Sequence, residues 1–138
     1  GVVINDQEAR LLCNTSNLIK CGKQLLSYGP KFAIIKKGEH GVLFFFDDNI
    51  IPIPGYPLDS VIDPTGAGDS FAGGFMGYLI SNKKGDIFDD IPLIKDSILM
   101  GNIMGTFAIE SFGTERLFEI TNSDIMNRFD FYKKMLSI

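Results

Sequence analysis

The stretch that most constrains the fold is "VIDPTGAGDSFAGGF", residues 61–75, which runs from a short apolar approach through a glycine-rich turn. Aromatic and aliphatic side chains then recur at helical spacing, which predicts a helix over residues 69–82. That helix would contain Gly73, Gly74 and Gly77. Each interior glycine costs a helix about 1 kcal/mol relative to alanine. The cost raises the question of what requirement keeps the glycines there.

The rest of the chain alternates predicted strands with predicted helices, which is the α/β pattern. Two of the strands form a hairpin across residues 47–49, and Pro52 and Pro54 place its second arm at a sheet edge. The full set of predicted strands is 2–4, 32–36, 41–46, 50–53 and 61–62. The predicted helices begin near Asn5, at Thr15 or Ser16, at Asp69, at Leu93, and at Thr121 or Ser123. The helix that begins at Leu93 is expected to end at Glu110. We expect a single domain over residues 1–138.

Charge and hydropathy exclude several classes of protein. The chain has 13 basic and 17 acidic residues, and no block of like charge. A nucleic-acid surface needs clustered Lys and Arg, so none is expected. Its apolar runs, such as residues 42–46, are far too short to span a membrane. Because no signal segment opens the sequence, we expect a cytoplasmic protein.

The residues that most often carry metal or nucleophilic chemistry are few. Cys13 and Cys21 are the only cysteines, and their spacing matches no zinc pattern. We predict that both are buried or half-buried free thiols, since free cysteine is usually found in the core. His40 is the only histidine. A Ser-His-Asp arrangement and a histidine metal cluster are therefore not expected.

The glycine turn itself has the form of an anion site. In a strand–loop–helix arrangement, the first N–H groups of the helix have no partner within it, and the helix dipole is positive there. The absence of side chains at Gly66 and Gly68 would let phosphate oxygens approach closely. The turn is neither a P-loop nor G-x-G-x-x-G. The alternative is an ordinary tight turn in which Asp69 is the N-cap of the helix.

The segment "DPTGAGDSFAGGF" resembles the C-terminal signature of the ribokinase-like, PfkB family of carbohydrate and nucleoside kinases. Further similarities follow in the family's order: Asn5 and Glu8 resemble its N-x-x-E motif, and "IKKGEHGV" resembles its nucleotide-phosphate turn. Asn102 and the turn at 112–114 resemble its nucleotide and cation segment. The resemblance implies the C-terminal part of a three-layer α/β/α sandwich with a mostly parallel central sheet and an edge hairpin. It covers essentially all of this chain, which we therefore interpret as the nucleotide-binding portion of a longer kinase.

The resemblance also implies roles for individual residues. Asp69 would be the general base, and the backbone of Gly66, Ala67, Gly68 and Asp69 would hold the transferred phosphoryl group. The remaining implied contacts are Lys36, Gly38 and Asn102 for the nucleotide, Asn5 and Glu8 for magnesium, Asp63 and Thr65 for a monovalent cation such as K⁺, and the carbonyls of Ala108, Ser111 and Gly113 for that same cation. Leu117 departs from members that offer a hydroxyl near there. Capping of a helix is the alternative role for Asn5 and Glu8.

The activity implied is transfer of the γ-phosphate of ATP, with Mg²⁺, to a hydroxyl of a sugar or nucleoside. Two alternatives stay open: a catalytically inactive nucleotide-binding regulatory module of the same fold, and an unrelated doubly wound phosphate-binding domain. The chain alone is expected to show no kinase turnover, because most acceptor contacts of the family precede this segment. We also expect the strand edge at residues 2–4 to pair with another chain, which would give a homodimer or aggregates.

Overall fold

The computed structural model describes residues 1–59, 61, 64–110 and 115–137. The chain packs as two compact units, Gly1–Gly55 and Tyr56–Ile138. In order, the elements are β1 (Val2–Asn5), α1 (Asp6–Cys13), α2 (Leu18–Ser27), β2 (Ala33–Lys36), β3 (Val42–Phe46), β4 (Asn49–Ile53), α3 (Ala67–Asn82), α4 (Ile91–Ala108), α5 (Glu115–Glu119) and α6 (Asn122–Leu136). The single domain expected over residues 1–138 stays a prediction.

The first unit contains a sheet with the strand order β1-β2-β3-β4. The β1–β2 pairing is parallel, whereas β2–β3 and β3–β4 are antiparallel. The predicted α/β class and edge hairpin are confirmed, and Pro52 lies in the edge strand β4. The expectation of a mostly parallel sheet is wrong for the described strands, because only one of their three pairings is parallel. The connections after β2 and β3 are too short for a parallel crossover, which needs about a dozen residues or more.

The core of the first unit lies between its two helices and the sheet. The buried side chains of this cluster are Ala9, Cys13, Cys21, Leu25, Ala33, Ile35, Leu43 and Phe45. Both cysteines are free, as predicted, and Cys13 Sγ lies 3.7 Å from the carbonyl oxygen of Cys21. Burial, reinforced by the neighbouring Cys21 thiol, raises the pKa of Cys13. The two thiols therefore act as small apolar side chains of the core.

The N-cap of helix α2 lies one residue after Ser16 and two residues after Thr15, the two predicted starts. Its N-cap is Asn17, whose side-chain oxygen accepts hydrogen bonds from the backbone N–H groups of Ile19 and Lys20. The choice of Thr15 or Ser16 was wrong because a single Asn side chain can satisfy two donors at this end. The hydroxyl of Thr15 instead accepts from the N–H of Asn17. The helix ends at Ser27 with Tyr28 as its C-cap, and Gly29, which follows, has a φ of 118°.

The second unit is built on α3 and α4, which pack along one another. Phe71, Phe75 and Leu79 are buried, so the helical face predicted for this segment is confirmed. Helix α3 begins at Ala67 and α4 at Ile91, two residues before each predicted start, since Gly66 and Asp90 occupy the N-cap positions. Val61 lies in no strand, and Ile62 falls outside the described residues.

The glycines of α3 divide into two kinds. A Cβ added at Gly74 would lie 2.8 Å from Cγ of Met104 and 2.9 Å from the carbonyl oxygen of Met100, both on α4. Cβ atoms added at Gly73 or Gly77 would meet no atom within 4 Å. Of Gly73, Gly74 and Gly77, only Gly74 is therefore required for close packing against α4.

The C-terminal helix α6 begins at the first of its two predicted caps. The hydroxyl of Thr121 accepts from the N–H of Asp124, and the Asp124 carboxylate accepts from the N–H of Thr121. Phe129 and Tyr132 of this helix are buried. The turn at 111–114 lies outside the described residues. Within the part of the chain that the structure describes, no helix is both long and apolar enough to cross a membrane.

Candidate active site

The start of α3 is the first element of the candidate site. Gly66 is its N-cap residue, has a φ of 81°, and offers no side chain to the helix end. The N–H of Ala67 donates to the carbonyl oxygen of Pro64 at 3.3 Å. In a helix that begins at Ala67, the N–H groups of Gly68 and Asp69 have no acceptor within the helix. These two N–H groups can therefore donate hydrogen bonds to a bound anion, which the helix dipole also favours.

Asp69 lies in the first turn of α3, three residues beyond the cap, and is exposed. The alternative in which Asp69 caps the helix is wrong, because Gly66 occupies that position in the left-handed conformation. That conformation suits glycine, which has no Cβ to clash with the following peptide. An exposed carboxylate beside two backbone donors can accept a proton next to a bound anion.

Helix α4 passes close to this turn. A Cβ added at Gly105 would lie 3.4 Å from the carbonyl oxygen of Ala67, and one added at Gly101 would lie 2.9 Å from that of Phe71. Asn102 precedes Gly105 by three residues, and residues at that spacing share a helix face. Its side-chain N–H₂ donates to Oη of Tyr132 on α6 at 2.9 Å. Within the second unit, Asn102 and the glycine turn thus belong to neighbouring surfaces.

In the first unit, three predicted site residues lie at one edge of the sheet. Asn5 and Lys36 are register partners at the carboxyl ends of the parallel strands β1 and β2. Gly38 follows in a 3-10 turn, Gly38–His40, and has a φ of 58°. The carboxyl ends of parallel strands are where open α/β sheets bind ligands. The nucleotide role of Lys36 and Gly38 stays a prediction.

The start of α1 is capped by the side chains of Asn5 and Glu8. Oδ1 of Asn5 accepts from the N–H of Glu8 at 2.8 Å, and Oε2 of Glu8 accepts from the N–H of Asn5 at 3.1 Å. The capping alternative for this pair is therefore correct as a description of its hydrogen bonds. The cap uses one carboxylate oxygen of Glu8, which is exposed. Its Oε1 fits a hydrated Mg²⁺, which usually keeps several waters and binds one or two carboxylates.

The predicted monovalent-cation ligands are described only in part. Thr65 is exposed just before the turn, and Ala108 is buried at the end of α4. Asp63, Ser111 and Gly113 lie outside the described residues. In the described ranges there is no group of three or more His, Cys, Asp or Glu side chains that could hold a metal ion.

A charged cluster at the end of α4 was not predicted from the sequence. Glu110 accepts from Nε of Arg116 at 3.0 Å and also forms an ion pair with Arg128. Arg128 donates to Oγ1 of Thr106 at 2.9 Å, and its guanidinium lies 3.8 Å from the centre of the Phe107 ring. The cluster links α4, α5 and α6. Sequence periodicity could not predict this cluster, because its members come from three separate elements.

The first unit has a mixed sheet with polar residues at the ends of β1 and β2, and in the second unit helix α3 begins at a glycine turn without a side-chain cap. The model of the pfkB family of carbohydrate kinases matches residues 2–120. This chain therefore belongs to the pfkB family of carbohydrate kinases.

Individual relatives and solved structures agree with that assignment. A cytidine kinase of Thermococcus kodakarensis is 36% identical over 77 residues, which are 54% of this chain and 27% of that protein. A fructokinase from Vibrio cholerae O395, solved with fructose, ADP and calcium, matches with a TM-score of 0.80 at 21% identity, over 93% of this chain and 40% of its own. A Burkholderia thailandensis nucleoside kinase in complex with inosine matches with a TM-score of 0.70 at 27% identity, over 94% of this chain and 39% of its own.

These likenesses establish the ribokinase-like fold predicted from the sequence. The chain spans between 20% and 32% of the length of the curated relatives it matches.

Proposed function

We propose that this chain is the nucleotide-binding, C-terminal portion of an ATP-dependent kinase that phosphorylates a hydroxyl of a sugar or nucleoside. The observation that carries the proposal is the start of α3, where a left-handed Gly66 replaces a side-chain cap and Asp69 stands exposed beside the open donors. Membership of the pfkB family supports the reaction class. The known relatives include both sugar and nucleoside kinases, so the acceptor is proposed only as a class.

In the proposed reaction, the backbone from Gly66 to Asp69 holds the transferred phosphoryl group. Phosphoryl transfer requires positioning and charge neutralisation more than covalent chemistry. Backbone N–H groups at a helix start are fixed donors and need no reorganisation as charge develops. The packing of α4 against Ala67 and Phe71 supports this role, since it holds the first turn in place.

Asp69 is proposed to take the proton from the acceptor hydroxyl as that oxygen attacks the γ-phosphorus. A carboxylate in this position accepts the proton while the N–H groups beside it contact the phosphoryl oxygens. The structure removes the competing role of helix cap for Asp69. A regulatory module that only bound nucleotide would have no use for a carboxylate there.

The remaining residues are proposed to bind the nucleotide and its cations. Lys36 and Gly38 would contact the phosphates from the sheet edge, and Asn102 would contact the base. Mg²⁺, when bound, neutralises charge on the phosphates. Glu8 would hold it through water, with Asn5 fixing the position of that carboxylate. A monovalent cation such as K⁺ would lie near Asp63 and Thr65.

Substitution of Asp69 by Asn in the complete kinase tests the proposal. Asparagine keeps the size of the side chain but cannot accept the proton, so kcat should fall by about two to four orders of magnitude. Nucleotide affinity should stay within a few-fold of wild type. The measurement is coupled ADP release over a panel of sugars and nucleosides, with Mg²⁺ and K⁺ present, beside a calorimetric ADP titration.

The matched control is Asp130→Asn, which removes an exposed carboxylate from α6. It should leave both quantities unchanged. A kcat for Asp69→Asn within tenfold of wild type contradicts the assignment of the base. Failure of every acceptor to stimulate ADP release by the wild-type kinase contradicts the proposed reaction.

A further inference from the structure

The turn that follows β2 lies against the chain just beyond β4. A Cβ added at Gly55 would overlap the carbonyl oxygen of Glu39 and lie 3.0 Å from its carbonyl carbon. A Cβ added at Gly41 would overlap the carbonyl oxygen of Ile53 and lie 2.7 Å from the backbone nitrogen of Gly55. All of these neighbours are backbone atoms, which no change of side-chain rotamer can move away. Two glycines therefore allow two separate segments of backbone to touch.

The two glycines differ in backbone conformation. Gly41 has a φ of 96°, which favours glycine whatever the space around it. Gly55 is not among the described glycines with a positive φ, so alanine could adopt its conformation. Only the carbonyl group of Glu39 and the backbone beside it exclude a methyl group at position 55. Gly55→Ala therefore changes this contact and leaves the local backbone preference unstrained.

Backbone hydrogen bonds close the turn itself. The N–H of Lys37 donates to the carbonyl oxygen of Gly41 at 2.7 Å, the N–H of His40 to that of Lys37 at 3.1 Å, and the N–H of Gly41 to that of Gly38 at 3.2 Å. These bonds leave the N–H groups of Gly38 and Glu39 without an acceptor in the turn. Displacement of the Glu39 carbonyl group would shift both of these donors.

We propose that Gly55 is a positioning residue which fixes the turn Gly38–His40 and thereby sets the affinity of this chain for the phosphates of the nucleotide. The proposal rests on the function proposed above, in which Lys36 and Gly38 contact those phosphates. Gly55 itself need not touch the nucleotide. A methyl group at position 55 would push the carbonyl oxygen of Glu39 away by about 1 Å, to an ordinary van der Waals distance.

Gly55→Ala in the complete kinase tests the proposal through nucleotide affinity. Calorimetric titration with ADP and Mg²⁺ should give a Kd about tenfold above wild type, the loss expected for a weakened hydrogen bond to a charged group. The KM for ATP should rise in the same proportion. The kcat at saturating ATP should stay within about threefold of wild type, because the start of α3 is unchanged and only binding common to substrate and transition state is lost.

A control in the same unit separates the position of the turn from stability. A Cβ added at Gly22 would overlap the ring of Phe45, which belongs to the core of the first unit. Gly22→Ala should therefore lower the melting temperature and leave the affinity for ADP unchanged. Wild-type affinity in a folded Gly55→Ala protein overturns the proposal, as does an equal loss of affinity in both variants.

Two proline variants test the same support without adding an atom, so the proposal stays testable if Gly55→Ala fails to fold. Pro54 and Pro52 are both exposed. Pro54→Gly frees the segment that supports the turn and should raise the Kd for ADP by about threefold. Pro52 is paired with Leu43 inside the sheet, so Pro52→Gly should change stability alone. Equal affinities for ADP in the two proline variants contradict the proposal.

The same titrations separate this inference from the proposed function. A kinase that binds ADP and loses turnover in Asp69→Asn, but binds ADP normally in Gly55→Ala and Pro54→Gly, keeps the kinase assignment and overturns only the role of Gly55. Absence of ADP binding by the wild-type kinase overturns both.

Discussion

The starts of helices α1 and α3 lie in different units and are built in opposite ways. At α1, Asn5 and Glu8 each accept the other's backbone N–H, which closes the helix end. At α3, Gly66 provides no side-chain cap and Asp69 remains exposed. Side chains also cap α2, α4 and α6, so α3 is the exception among the described helices whose N-caps are assigned.

The difference shows where each helix obtains its stability. Helix α1 is stabilised at its own terminus by neighbours in sequence, and such caps are typically worth about 1 kcal/mol. Helix α3 lacks that contribution and contains three interior glycines. It depends instead on three buried side chains, Phe71, Phe75 and Leu79, and on its close packing with α4. Tertiary packing thus stabilises α3 although its start has no side-chain cap.

The largest effect is expected from overfilling the α3–α4 contact. Gly74→Ala places a methyl group against the carbonyl oxygen of Met100 and the side chain of Met104, at distances below 3 Å. Overpacking of this kind should lower the free energy of unfolding by about 1–3 kcal/mol, more than the gain in helix propensity. Chemical denaturation of the protein measures the loss.

Gly77→Ala is the matched control for this substitution. Its methyl group would meet no atom within 4 Å, so only helix propensity changes. We expect it to raise the free energy of unfolding by up to about 1 kcal/mol. Equal effects of the two substitutions would show that packing against α4 does not stabilise α3.

The next effect concerns the closed start of α1. Asn5→Ala removes the acceptor for the N–H of Glu8 and should cost about 0.5–2 kcal/mol of unfolding free energy. Glu8→Gln keeps an oxygen that can close the cap, so stability should hardly change. If Glu8 also organises Mg²⁺, its loss of charge should raise the Mg²⁺ concentration needed for half-maximal activity.

These two variants therefore separate capping from catalysis at one helix start. Denaturation curves report the cap, and activity titrated with Mg²⁺ reports the metal. An unaltered Mg²⁺ requirement in Glu8→Gln would leave Asn5 and Glu8 as a cap alone.

The smallest effect is expected at the cap of α6. Hydrogen bonds from the backbone N–H and then the hydroxyl of Thr121 lower the pKa of Asp124 below its ordinary value of 3.8. A lowered folded-state pKa stabilises the protein above that ordinary value, and the contribution disappears as the pH falls through the folded-state pKa. Asp124→Asn should therefore be slightly less stable than wild type at neutral pH and equal to it in strong acid.

Unfolding curves at neutral pH and near pH 2 measure this difference for Asp124→Asn. The effect should be small because the carboxyl group lies at the surface, where solvent screens its interactions. A difference that grows in acid would contradict the assigned direction of the pKa shift.

Much of the fold followed from local patterns in the sequence. Alternating apolar segments located the strands and most helices, and Pro52 correctly placed β4 at the sheet edge. The spacing of Phe71, Phe75 and Leu79 predicted the buried face of α3. Such features depend on residues close together in the chain, where side-chain periodicity and cap chemistry act directly. The capping box at Asn5 and Glu8 was also predicted as an alternative on these grounds.

Other features were decided by contacts between distant segments. The sequence marked Gly73, Gly74 and Gly77 alike, but only the position of α4 shows that Gly74 is the one whose neighbours exclude a side chain. Likewise, Asn102 was predicted as a nucleotide contact, whereas its hydrogen bond to Tyr132 joins residues 30 positions apart. No local pattern encodes such pairings, because they arise from the crossing of helices in space. The sequence by itself determined the residue types at the candidate site and the local elements that carry them. The tertiary structure decided which helix end stays open and which side chains are oriented, since both depend on packing between elements.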